Sequence, residues 1–176
     1  MRAEFLSALV ARFEGLEDQL NTLDAATGDG DHGTTILKGL RAAMDAPDTS
    51  VKAFRRAAGG ASGSLFATIL AALEAADDGA PLSEALGKAA ERIAQLGQAK
   101  VGDKTMLDAL IPAASKATAG EAAQAAAAGR DTTRDMAAKR GRAKYVEGAG
   151  VGHLDAGATT VAEILDEYAK FAEGAR

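Results

Sequence analysis

Residues 23–35 read LDAATGDGDHGTT and set Asp24, Asp29 and Asp31 among Gly28, Gly30 and Gly33, between two helical segments. Carboxylates this close repel one another, so gathering them is unfavourable unless a cation sits among them. Hard oxygen donors without cysteine favour Mg²⁺ or Ca²⁺ over Zn²⁺. Glycine permits positive-φ turns and lets backbone N–H groups approach a ligand closely. The same composition also serves a plain helix-to-helix turn, with Asp and Gly as turn residues and caps.

The 176 residues are read as a single domain, 1–176, with room for a sizeable core. Lys+Arg 20 against Asp+Glu 25 gives a net charge of -5, which argues against a nucleic-acid partner. With no cysteine there is neither a disulfide framework nor a thiolate site. The N-terminal stretch carries Glu4 and Glu14 and reads as a helix, not a signal peptide. No run approaches the roughly 18 apolar residues of a membrane span, so a cytoplasmic protein without a membrane partner is expected. Alanine is abundant and aromatics are only 4%, which points to an all-α fold.

Outward from the acidic stretch the chain reads as helices with short breaks. Residues 2–21 predict a first helix, with Phe5, Leu9, Phe13, Leu16 and Leu20 on one stripe. A second begins near Thr34 and is broken by Pro47. Thr49 or Ser50 caps a short helix through Ala58. GGASGSLF, residues 59–66, leads into a helix with Leu65, Ile69, Leu70 and Leu73, ended by Asp77-Asp78-Gly79. Pro81 opens another, through about Leu96. Residues 97–103 form a loop, and Thr105 starts a helix containing Pro112, a candidate kink. The alanine-rich residues 120–139 predict two helices meeting near Gly129. Residues 140–160 are the longest Gly-rich irregular stretch, and a last helix runs from about Ala158 to Ala172.

Four Gly-rich stretches, 28–33, 59–63, 97–102 and 148–157, punctuate this pattern, and three of them end where a helix begins. Helix N-termini with exposed N–H groups suit phosphate, so several gathered at one end of a bundle would make a polyphosphate pocket. Helical bundles also need such loops simply as connections. His32 is a candidate contact to a phosphate or a nucleotide ring, or a plain loop imidazole. Thr105 or Asp103 is a candidate helix cap. Met106 suits packing on an adenine ring or in the core. Arg142, thirteen positions before Asp155, suits phosphate or a solvated basic turn.

LDAATGDGDHG, GGASGSLF, GDKTM and GRAKYVEGAGVGHLDAGATT follow in this order from about Leu23 to Thr160. Together they resemble the nucleotide-binding L subunit of dihydroxyacetone kinases, the DhaL-type domain. The resemblance implies an all-α barrel of about eight antiparallel helices with the nucleotide at one end. It implies two Mg²⁺ ions on Asp24, Asp29 and Asp31. It implies contacts to ADP or ATP from His32, Gly33, Thr34, Thr35, Ala61, Ser62, Gly97, Met106, Arg142, Asp155, Ala156 and Gly157. The sequence departs from the usual pattern at Ala156 and Ser64, where proline is commoner, and residues 41–58 look short.

The chemistry so implied is phosphoryl transfer from a Mg²⁺-bound nucleotide, with no general base from this chain. The acceptor, dihydroxyacetone, is held covalently through a histidine on a separate K subunit. The donor is either exchangeable ATP, or ADP kept bound and rephosphorylated by a phosphohistidine protein of the sugar phosphotransferase system; a chain without a sugar-binding domain favours the second. Two other readings stand beside this one. One is an ATP-dependent kinase subunit for a related ketose or another acceptor. The other is a nucleotide-binding regulatory or adaptor module that contacts a transcription regulator.

Overall fold

The structure is a computed structural model and describes residues 3–140 and 142–174, with the backbone alone at 142 and 143. Among the described residues there are nine α-helices, several short 3-10 turns and no strand. The helices are α1 (Ala3–Glu14), α2 (Glu17–Ala25), α3 (His32–Asp45), α4 (Ser50–Ala58), α5 (Gly60–Asp77), α6 (Leu82–Gly97), α7 (Leu107–Ala114), α8 (Ala119–Thr132) and α9 (Ala156–Gly174).

From α3 to α9 each helix packs against the next, and α1 touches both α9 and α3. Eight helices therefore close into a ring, an all-α barrel, and α2 packs on α3 and α9 besides. Alanine makes the tight part of this ring possible: Ala122, Ala123 and Ala126 are the buried face of α8 where it meets α7 and α9. Larger side chains fill the interior, with Phe5, Phe13, Phe54 and Phe66 fully buried among leucines and isoleucines. Burying such side chains is the main stabilising term of the fold. Phe5 on α1 closes the ring against α9, edge-on to Tyr168 at 5.6 Å and beside Phe171 at 5.4 Å.

Three boundaries differ from the sequence expectation. Residues 2–21 do not make one helix: α1 ends at Glu14 and α2 begins at Glu17, the break falling at Gly15, a poor helix former, and Leu16 (φ −109°, ψ −7°). The apolar stripe carries through the break because Leu16 and Leu20 both stay buried. Residues 120–139 do not make two helices. Gly129 lies inside α8, and a Cβ there would come 2.1 Å from the Asp108 carbonyl oxygen, so this glycine permits close packing on α7 and breaks nothing. Gly60 and Gly63 of GGASGSLF likewise join α5, which begins at Gly60, and only Gly59 stays outside it.

Candidate functional site

Asp24 stands in the last turn of α2. Its Oδ2 accepts the N–H groups of Gly30 (2.9 Å) and Asp31 (3.2 Å), which folds the acidic loop back onto the helix end. The fold-back needs glycine: a Cβ at Gly28 would lie 2.6 Å from Asp24 Oδ1, and Gly30 has φ +77°. Carboxylate oxygens of Asp24, Asp29 and Asp31 come to lie within 4.8 Å of one another. Three hard donors, one of them fixed beforehand by backbone hydrogen bonds, fit Mg²⁺. Asp24 is partly buried, and Asp29 and Asp31 are exposed.

α3 begins at His32, whose imidazole is 9% exposed. Its Nε2 lies 2.8 Å from Thr160 Oγ1 on α9, and the ring meets Phe66 of α5 edge-on. Burial drives its pKa down to about 4 against the opposing pull of Asp24, so the ring is neutral at pH 7. The next residues turn toward α2. A Cβ on Gly33 would lie 2.2 Å from the Glu17 carbonyl oxygen. Thr34 donates its N–H to Asn21 Oδ1 (3.1 Å) and its hydroxyl to Glu17 Oε1 (2.8 Å). Thr35 donates its N–H to the Asp31 carbonyl (2.9 Å).

Beside this loop is a cavity of about 390 Å³. Of the residues singled out in the sequence, Asp24, His32, Ala61, Ser62, Gly97, Met106, Asp155, Ala156 and Gly157 line it. They come from helix ends. Ala61 and Ser62 are in the first turn of α5, entered through Gly59 (φ +66°) and Gly60 (φ +57°). Gly97 ends α6, Met106 immediately precedes α7, and Ala156 and Gly157 open α9. Leu65, Phe66, Ile93 and Leu107 give the cavity an apolar side. Asp29, Asp31, Gly33, Thr34 and Thr35 are outside the lining. The side chain of Arg142 lies outside the described residues.

Asp155 is the cap of α9. Its Oδ2 accepts the N–H of Ala158 (2.7 Å), and its carbonyl accepts the Thr159 hydroxyl (2.8 Å). Burial pushes its carboxyl up to about 6. The Ala158 hydrogen bond and Lys104 pull it down, and the charges of Asp108 and Asp24 add to the rise.

Sequence reasoning missed Thr27, Lys104 and Arg140 on the wall. Arg140 Nε donates to Asp103 Oδ2 (3.1 Å). Burial works to raise the Asp103 carboxyl, but Arg140 and the Lys100 N–H outweigh it and hold it below its ordinary value. An aspartate inside GDKTM that is 2% exposed needs a cation, and the basic run 139–144 was the signal available. Asp108 accepts N–H groups from Gly102 and Thr105, so it shapes the turn before α7, while Thr105 Oγ1 accepts the Leu107 N–H at 3.2 Å.

The family model of the DAK2 domain matches residues 26–170. The chain belongs to the DAK2 domain family. This DAK2 domain is 32% identical over 157 residues to the ADP-binding subunit DhaL of PEP-dependent dihydroxyacetone kinase 1 from Listeria innocua, covering 79% of either chain. It is 34% identical over 196 residues to the D-erythrulose kinase of Mycolicibacterium smegmatis, covering 91% of this chain and 33% of that one. Among solved structures, dihydroxyacetone kinase from C. freundii in complex with AMP-PNP and Mg²⁺ matches with a TM-score of 0.73 at 26% identity, over 96% of this chain and 33% of that one. The DAK2 domain thus has the DhaL-type all-α fold, and it spans about a third of the length of the first curated relatives it matches. No helix among the described residues is long and apolar enough to cross a membrane.

Proposed function

We propose that this DAK2 domain is the nucleotide-binding subunit of a dihydroxyacetone kinase. The observation that carries the reading is the gathering of Asp24, Asp29 and Asp31 within 4.8 Å of one another beside a cavity walled by helix ends. ADP or ATP would bind there, its base against the apolar side near Gly97 and Met106. Its phosphates would meet the first turns of α5 (Ala61, Ser62) and α9 (Ala156, Gly157), where N–H groups lack intrahelical partners. Neutral His32 would contact a phosphate without adding charge, and Gly33, Thr34 and Thr35 would hold the start of α3 in place. Arg142 is proposed as a further phosphate contact, and Asp155 as the residue that orders the α9 end. Asp24, Asp29 and Asp31 would hold two Mg²⁺ ions, which when bound offset charge on the phosphate oxygens.

In the reaction, the bond from the terminal phosphorus to its bridging oxygen breaks, ADP leaving with that oxygen, and a new bond forms to a hydroxyl oxygen of dihydroxyacetone, whose proton passes to water or to a group of the partner subunit. The sugar would be held covalently on a separate K subunit, so this chain binds and aligns the donor and supplies no general base. Likeness to a PEP-dependent DhaL subunit supports ADP that stays bound and is rephosphorylated by a phosphotransferase-system phosphohistidine protein. Likeness to an erythrulose kinase supports a second reading, an ATP-dependent kinase acting on a related ketose. The proposed setting is the cytoplasm.

The test mixes the purified chain with a dihydroxyacetone-binding K subunit and supplies either ATP or a PEP-charged phosphotransferase donor. Phosphorylated dihydroxyacetone is expected only with the partner present. Turnover by the chain alone, or Mg-ADP binding that survives EDTA, would contradict the proposal.

A further inference from the structure

Lys104 takes no part in the chemistry proposed above, yet among the described residues it is the only lysine or arginine that is buried. Burying an ammonium is costly unless its protons find acceptors. Its Nζ donates to three main-chain carbonyls: Thr133 (2.6 Å), Gly150 (2.7 Å) and His153 (2.5 Å). Its own backbone is left-handed (φ +57°), a conformation that costs a residue with a Cβ and persists where surrounding contacts enforce it. The three carbonyls follow the end of α8 and run into the start of α9.

Thr133, fully buried, passes the link onward: its Oγ1 accepts the N–H of Asp155 at 2.9 Å, and Asp155 caps α9 through Ala158. The same cluster reaches the acidic loop. A Cβ on Gly150 would lie 2.3 Å from Thr27 Cγ2 and 3.4 Å from Lys104 Cε, so the turn before α9 rests on both. Resting on the nucleotide reading above, we infer that Lys104 is a positioning residue, whose three hydrogen bonds hold the amino end of α9 against the acidic loop and the cavity wall.

Lys104→Met keeps most of the side-chain stem and removes the ammonium. Three readouts are taken: amide hydrogen exchange without ligand, Mg-ADP affinity by calorimetry, and the ¹³C titration of the Asp155 carboxyl. Amides of residues 155–159 should exchange about tenfold faster or more, while those of α1 and α3 stay within about twofold of the parent. Mg-ADP should bind about tenfold more weakly. The Asp155 titration should move upward, because a neighbouring positive charge is gone, whereas loss of burial alone would move it downward. If Lys104→Met does not fold, Thr133→Val serves. It keeps the carbonyl that Lys104 uses and removes the acceptor for Asp155, so it should give the same local exchange and weaker binding at smaller amplitude. Exchange at 155–159 and Mg-ADP affinity both unchanged in the variant that folds would overturn the inference. If the parent itself binds no Mg-ADP, the nucleotide reading fails, and the exchange arm still decides whether Lys104 positions α9.

Discussion

His32 Nε2 and Thr160 Oγ1 lie 2.8 Å apart although 128 residues separate them in sequence. The bond ties the first residue of α3 to α9, two helices whose ends wall the cavity. It is buried, so a lost partner is not replaced by solvent without cost. Thr160→Val should therefore destabilise the protein by about 1–3 kcal/mol in urea unfolding. A cost below about 0.5 kcal/mol would mean that the hydroxyl is dispensable to the imidazole.

Two glycine substitutions should act in opposite directions. At Gly33 a Cβ meets the Glu17 carbonyl oxygen at 2.2 Å, backbone that yields only if α2 and α3 part. Gly33→Ala should cost about 1–3 kcal/mol, the usual range for overpacking. At Gly87, inside α6, nothing lies within 4 Å, and Gly87→Ala should stabilise by about 0.5–1 kcal/mol. Thermal unfolding of the pair checks both signs at once.

Asp155 gives a pH signature. Its folded pKa, about 6, lies above the ordinary value of 3.8, so the folded state holds this proton more tightly than the unfolded chain does. The stability it contributes is therefore fully present below about pH 4 and is lost as the pH rises through about 6. Asp155→Asn keeps a capping oxygen and never ionises. The stability of the variant relative to the parent should climb between those two pH values and level off above them. A difference that stays flat across the range would remove Asp155 as the source.

Removing one carboxylate from the acidic loop should uncouple nucleotide from metal. Asp31→Asn should weaken Mg-ADP binding by more than about tenfold, since divalent affinity follows ligand charge. EDTA should do the same to the parent chain. Equal affinity in parent, variant and chelated samples, measured by calorimetry, would dissociate these aspartates from the nucleotide.

The helices were legible where their signals are local: the Asp77-Asp78-Gly79 stop and the Pro81 start appear in the structure as read, whereas the apolar stripe of residues 5–20 is buried but divided between α1 and α2. Gly129 misled because a glycine that breaks a helix and one that admits a neighbouring backbone look alike in sequence; only contact with Asp108 tells them apart. At the site, spacing within one stretch was enough to bring Asp24, Asp29 and Asp31 together. Lys104 and Arg140 escaped notice because their partners, Thr133, Gly150, His153 and Asp103, lie 29 or more residues away. A cation that hydrogen-bonds main-chain carbonyls leaves no complementary side chain to find.

Phe5, near the start of α1, packs on Phe171, near the end of α9, whereas the cavity lies at the opposite end of α9. Both ends of the described chain thus leave the barrel at its base. The 19 residues of α9 measure roughly 28 Å along the axis, so a tether attached at either end needs about nine fully extended residues to climb to the mouth. A linker shorter than that keeps its cargo below the rim, and a flexible one gives that cargo its highest effective concentration at the nucleotide when its root-mean-square length matches the span, and less as it lengthens further. Linker length and stiffness would then govern whether a fused domain reaches its own neighbour's cavity or must be served by another molecule.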